Sequence, residues 1–169
     1  MSIEVKDVIA ASGGEIVGKI RLQKMIYLLD QLGLESGYSF DYHHYGPYSS
    51  DLASSTDIAV AFDDVAEESR RRFSDGVPYS VFKVSHAVVP TSSDRLGGLP
   101  MDKARQTLSY LQSQTGVILE LAATIHWLAF VEKVGDWRKE LLRRKGSKAE
   151  DGRLEKALGL LNDLDIQVV

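Results

Sequence analysis

The sequence predicts a single α+β domain, mainly helical, with a small antiparallel sheet and a winged-helix-like N-terminal part. Three observations carry that expectation. Leu22, Met25, Ile26, Leu29 and Leu32 recur at the three-and-four spacing of one helix face, as do Ile118, Leu121, Ala122, Ile125, Leu128 and Ala129. Two extended runs flank Ser74-Asp75-Gly76, and Asp-Gly is a strong hairpin signal. Between these lies Tyr45-Gly46-Pro47-Tyr48, a corner in which proline fixes φ and restricts the residue before it.

Taken in order, residues Ile3 to Ala11 read as a first helix. Ser12 and Glu15 have capping-box spacing, which predicts a helix start there. Gly13, Gly18 and Lys19 imitate a phosphate-binding loop, but Ile20 stands where a magnesium-binding hydroxyl is needed, so nucleotide binding is not expected. After the helix ending near Leu32, Tyr38 to Tyr45 alternates aromatic and polar residues and reads as a strand. Ser49 or Ser50 can cap the next helix, Ser50 to about Asp63, on which Leu52, Ala59 and Phe62 mark the apolar side. The hairpin strands are expected over Val65–Phe73 and Tyr79–Val84, with Pro78 limiting pairing at the second strand's start. This N-terminal α+β part covers 1–88, a polar loop 89–98, and a helical part 99–169, all within one domain. In the last part Pro100 opens a helix, Gly116 separates it from the next, Asp136 caps the Trp137–Lys145 helix, and Ser147 with Glu150 forms a second capping-box pair.

Composition narrows the chemistry. The 169 residues suffice for one core. With no cysteine, neither disulfides nor thiolate chemistry is available. The start lacks a basic segment followed by a long apolar run, so a secretory signal is not expected, and a cytoplasmic setting is. The apolar segment Val117–Val134 carries Glu120, His126 and Glu132 and reads as a buried core helix, not a membrane span. A net charge of −4 argues against strong nonspecific nucleic-acid binding.

Several stretches together resemble the YwgA-like family of prokaryotic proteins: RLQKMIYLLDQLG, YHHYGPYSSDL, the hairpin, LELAATIHWL, and ELLRRKGSKAED with LEKALGLL. That family is similar in turn to the Panacea domain of SocA-like antitoxins, here over Leu22 to Leu52. The resemblance implies a small helical domain with a short sheet and an antitoxin-like, regulatory or defence-linked role as a protein-binding module. Its motif positions are Leu22, Gln23, Lys24, Tyr27, Tyr45, Gly46 and Pro47. No cofactor is implied.

Three site readings follow. First, Arg21, Lys24, Tyr27, Tyr45, Gly46, Pro47 and Tyr48 are expected to form one surface that receives a protein partner, which the resemblance implies is a toxin or defence component; tyrosines combine area with a polar tip and suit interfaces. Second, Arg70, Arg71 and Arg72 on the hairpin could touch nucleic acid weakly, as the wing of a winged helix, although the candidate recognition helix holds four Asp and no Lys or Arg. Third, Asp41, His43 and Tyr45, on one strand face, could serve proton transfer in a small enzyme. The adjacent His43 and His44 point to opposite faces, and His86 and His126 stand alone, so no metal site is expected.

Overall fold

The computed structural model describes residues 2–84 and 94–168. Among the described residues seven α-helices and seven short strands follow one another: α1 (Val5–Ala11), β1 (Glu15–Val17), α2 (Lys19–Asp30), β2 (Asp41–His43), β3 (Gly46–Tyr48), α3 (Ser50–Ala61), β4 (Val65–Arg71), β5 (Pro78–Val84), β6 (Arg95–Leu96), β7 (Leu99–Pro100), α4 (Met101–Gln112), α5 (Gly116–His126), α6 (Trp137–Lys145) and α7 (Arg153–Asp163). A π-helical turn, Trp127–Val131, extends α5, and a 3₁₀ turn, Gly146–Ala149, follows α6.

The expected mainly helical α+β architecture is what forms. α1, β1, α2, α3, β4 and β5, with the sheet order β1-β5-β4, have the layout of a winged helix, into which the β2–β3 hairpin is inserted between the second and third helices. Helix α2 is the hub. Every residue from Leu22 to Leu29 is buried, because α4, α5, β1, β5 and β3 pack around it. A helix enclosed on all sides must satisfy its polar side chains internally, which sets up the site below. Leu22, Ile26 and Leu29 on α2, and Ile118, Leu121, Ile125 and Leu128 on and after α5, are all buried, as their spacing predicts.

Several expectations need correction. Ser12 and Glu15 do not start a helix. Ser12 ends α1, its hydroxyl donating to Ile9 O at 2.8 Å, and Glu15 opens β1, which pairs with Lys83 to Val81 of β5. Gly13, Gly14 and Gly18 hold positive φ and let the chain turn into and out of that strand. Ser147 and Glu150 likewise belong to the 3₁₀ turn and its end; α7 starts after left-handed Gly152. Phe62 is 77% exposed, since α3 already packs through Leu52, Thr56 and Ala59. The expected strand over 38–45 is shortened to β2, and Gly46-Pro47-Tyr48 is its return strand, in the register Asp41–Tyr48, Tyr42–Pro47, His43–Gly46. Phe73 sits in the tip of the β4–β5 hairpin, not in β4. The first half of the loop expected over 89–98 lies outside the described residues, as does His86; in its second half β6 begins a minimal hairpin with β7.

Candidate functional site

The site is built where α2 meets the β2–β3 hairpin. Gln23 carries the first bond: its amide donates to Ser49 O and accepts from Ser49 N, both at 2.9 Å. Ser49 in turn caps α3, its hydroxyl accepting from Leu52 N at 3.1 Å. One buried glutamine therefore satisfies the backbone at the start of α3. One residue on, Lys24 is 1% exposed and donates to Pro47 O at 2.5 Å. Burial lowers its pKa to about 8, against the pull of Glu120. Tyr27, 3% exposed, bonds His126 Nδ1 at 2.6 Å from its hydroxyl, with Phe40 packed edge-on against its ring. Desolvation holds the Tyr27 phenol protonated, well above the usual range, and lowers His126 to about 4, so the imidazole is neutral near pH 7 and its Nδ1 accepts.

A second layer pins the hairpin from the far side. Glu120 of α5 is buried and pairs with Lys145 at 3.3 Å and Lys148 at 3.1 Å. Lys145 also donates to His44 O at 3.2 Å, and Lys148 lies over the Tyr45 ring. Arg144 covers Tyr42 and reaches Glu132 and Glu140. Thus Lys145 and Lys148 hold the two-residue turn, and Lys24 holds the strand that follows it. Gly46 has φ +90, and a Cβ there would lie 2.6 Å from Thr124 Oγ1, so glycine is required by both conformation and contact.

These positions correct the expected surface. Lys24, Tyr27, Gly46 and Pro47 are buried and belong to the joint between helix and hairpin. Arg21 faces another way. It donates to Val17 O at 2.9 Å and Gln112 O at 3.0 Å, and also bonds Gln114 O, tying α2 to the end of α4. Tyr45 and Tyr48 remain at the surface, Tyr45 being 46% exposed. They come together at the mouth of a pocket of about 200 Å³, with Ile20, Leu22, Ala53 and Phe82 on its apolar side and Lys24, Gln23 and Thr56 in its wall; Lys19 and Asp57 also line it. On α3 the pocket is bordered by Ala53, Thr56 and Asp57, whereas Asp51, Ile58 and Phe62 are exposed on the other side of that helix.

The other candidate groups are dispersed. Tyr45 is in the turn, so it does not extend the strand face of Asp41 and His43; His43 instead stacks at 4.8 Å on Tyr48. Arg70 pairs with Glu68 at 2.8 Å, Arg72 with Asp75 at 2.6 Å, and Arg71 donates to Gly76 O at 3.0 Å. Among the described residues no group of three or more His, Asp or Glu could hold a metal ion, and no single helix is long and apolar enough to cross a membrane.

Sequence reasoning missed Glu120, Lys145 and Lys148 as a set, and it reached Gln23 only as a motif position of the resemblance. A signal existed for Glu120, the one carboxylate in VILELAATI, whose burial required a cation. Lys145 was hidden inside the Arg143-Arg144-Lys145 run, which reads as a solvated face.

In comparison with known proteins, the chain is 24% identical over 156 residues to the "Uncharacterized protein YwgA" of Bacillus subtilis (strain 168), an alignment covering 91% of this chain and 90% of that protein. No family model matches.

Proposed function

We propose that this protein is a non-enzymatic protein-interaction module that takes an apolar side chain of its partner into the pocket between α2, α3 and the β2–β3 hairpin. The observation that carries the reading is the pocket itself. Its lining is largely apolar, and it includes two tyrosines on a hairpin fixed by buried bonds. A preorganised pocket edged by tyrosine is the kind of place where binding energy concentrates, because little order is lost on docking. The resemblance over Leu22 to Leu52 supports an antitoxin-like or regulatory setting, with a toxin or defence component as partner.

The experiment is co-expression with the products of neighbouring genes, scoring relief of toxicity and co-purification. Ile20→Asp and Tyr48→Ala should abolish relief and capture while the melting temperature stays within a few degrees. Relief that survives both variants would sink the reading.

A winged-helix regulator of nucleic acid is the second reading, favoured by the α1-β1-α2-α3-β4-β5 layout. Helix α3 has no Lys or Arg to meet phosphates, and Arg70 and Arg72 are already paired. Only weak, salt-sensitive binding to duplex DNA is expected. Tight, sequence-specific binding in an anisotropy titration at physiological salt would place this reading first.

A further inference from the structure

We propose that β4 is a homodimerisation edge, pairing antiparallel with β4 of a second copy about a two-fold axis through Ser69. In the sheet order β1-β5-β4, β4 is the outer strand, and among the described residues nothing pairs with its far side. It is seven residues long, and every residue after Val65 is exposed. An open edge of that length is a template for another strand unless something blunts it.

The direction of the backbone groups can be worked out. Ser80 O accepts from Gly18 N, so the Ser80 carbonyl faces β1. Ser69 is opposite Ser80 and so makes a non-hydrogen-bonded pair with it; its own N–H and C=O face the open edge. The tip agrees: Arg72 N donates to Val77 O, and Arg72 O accepts from Gly76 N, so Arg72 bonds inward and Arg71 outward. Glu67, Ser69 and Arg71 therefore offer their backbone groups outward.

The side chains then select the occupant. Residues 67–71 read Glu-Glu-Ser-Arg-Arg, which is charge-complementary to itself when reversed. With Ser69 opposite the partner's Ser69, Glu67 meets the partner's Arg71 and Glu68 meets the partner's Arg70, and each pairing occurs twice. The outward groups of 67, 69 and 71 supply on the order of six interstrand hydrogen bonds in that register. Charges on an edge ordinarily repel a neighbour. Here they repel parallel pairing, which stacks Glu on Glu and Arg on Arg, and they penalise shifted registers, but they reward this one. In the single chain the same groups are held at the surface, Glu68 by Arg70 and Lys83, Glu67 by the Ser80 hydroxyl at 2.6 Å and by Lys19 at 3.9 Å, Arg70 also by Glu15 at 4.0 Å, and Arg71 by Gly76 O, exposed contacts that exchange at little cost. The register also places Phe73, fully exposed at the hairpin tip, level with the start of the partner's β4. Such an interface is isologous and closes on itself, using the β4 edge of both copies at once.

Sedimentation velocity of the full chain over a concentration series tests this. The wild type should convert from 18.7 kDa to twice that mass as concentration rises, and added salt should shift the conversion upward. Arg70→Glu/Arg71→Glu and Glu67→Arg/Glu68→Arg should each remain monomeric, and their equimolar mixture should form a heterodimer. The four-fold exchange Glu67→Arg/Glu68→Arg/Arg70→Glu/Arg71→Glu keeps the palindrome and should dimerise again. Circular dichroism confirms that each variant is folded. A wild type that stays monomeric, or a dimer unaffected by either single-sign variant, overturns the proposal.

Discussion

An ammonium group inside a protein is stable only while its neighbours replace the water it has lost, and Lys24 meets Pro47 O and the field of Glu120. Lys24→Glu should therefore lower the melting temperature sharply instead of acting only on a partner. Because the folded-state pKa of Lys24 is about 8, below its ordinary value of 10.5, the unfolded chain binds more protons between those values, and Lys24 makes stability rise with pH through that window. His126 has the same sign at lower pH. Its folded-state value of about 4 lies below 6.5, so stability is lost as pH falls from 6.5 toward 4. Urea denaturation at several pH values should give a flatter acid limb for His126→Asn than for the wild type. Glu120→Gln removes the carboxylate from Lys145 and should cost about 3–5 kcal/mol, the range for breaking one side of a buried pair. Gly46→Ala should be destabilising for two separable reasons, its φ and its contact, so Thr124→Ala should rescue it only in part. At this scale the sequence was half legible. The apolar stripes named the core directly, whereas Lys24 and Tyr27 looked like surface residues because charge and hydroxyls are usually outside. What reversed that expectation was a third partner, the β2–β3 hairpin, closing over the side of α2 opposite its apolar stripe.

Helices were easier to read than strands here, and the reason is local. α2, α4 and α5 announce themselves by period, and α5 and α6 carry side-chain caps: Thr115 accepts from Ile118 N and Asp136 from Lys139 N. β1 is three residues long and exists because β5 offers it an edge, a nonlocal cause that the Ser12–Glu15 spacing could not report. The β4–β5 hairpin was legible from Asp-Gly, but the projection of its distal half away from the core was not. Within α2, Leu29→Ala should cost about 2–5 kcal/mol, since the site is closed on every side. Gln23→Ala should cost about 1–3 kcal/mol by leaving the Ser49 N–H buried without a partner, while Ser49 C=O keeps Ala53 N, and it should loosen the first turn of α3. Amide exchange at Ser49 and Leu52 would report that loss locally, while α5 stays protected.

Across the molecule, one hydrophobic cluster runs from Val5 in α1 to Ile166 after α7, and α2 shares it with α4 and α5. The N-terminal winged-helix layout therefore has no core of its own. A fragment ending at Val84 exposes Ile26, Leu28 and Leu29 where α4 and α5 belong, and it should not give a cooperative thermal transition. The full chain should unfold in a single step by near- and far-ultraviolet dichroism alike. Two superimposed transitions in the full chain, or a folded fragment, would divide the chain where no division is expected.

The joint made by Gln23, Lys24, Tyr27, Gly46 and Pro47 also separates inheritance from adaptation. Those side chains face inward and hold the hairpin's seat, while Ile20, Tyr45 and Tyr48 line the pocket it shapes. Descendants of one ancestor can retain the first set unchanged and rewrite the second freely. Chains collected by the Leu-Gln-Lys helix and the Tyr-Gly-Pro corner would then share a scaffold, and their pocket residues, compared as a group apart, would sort them by what they capture.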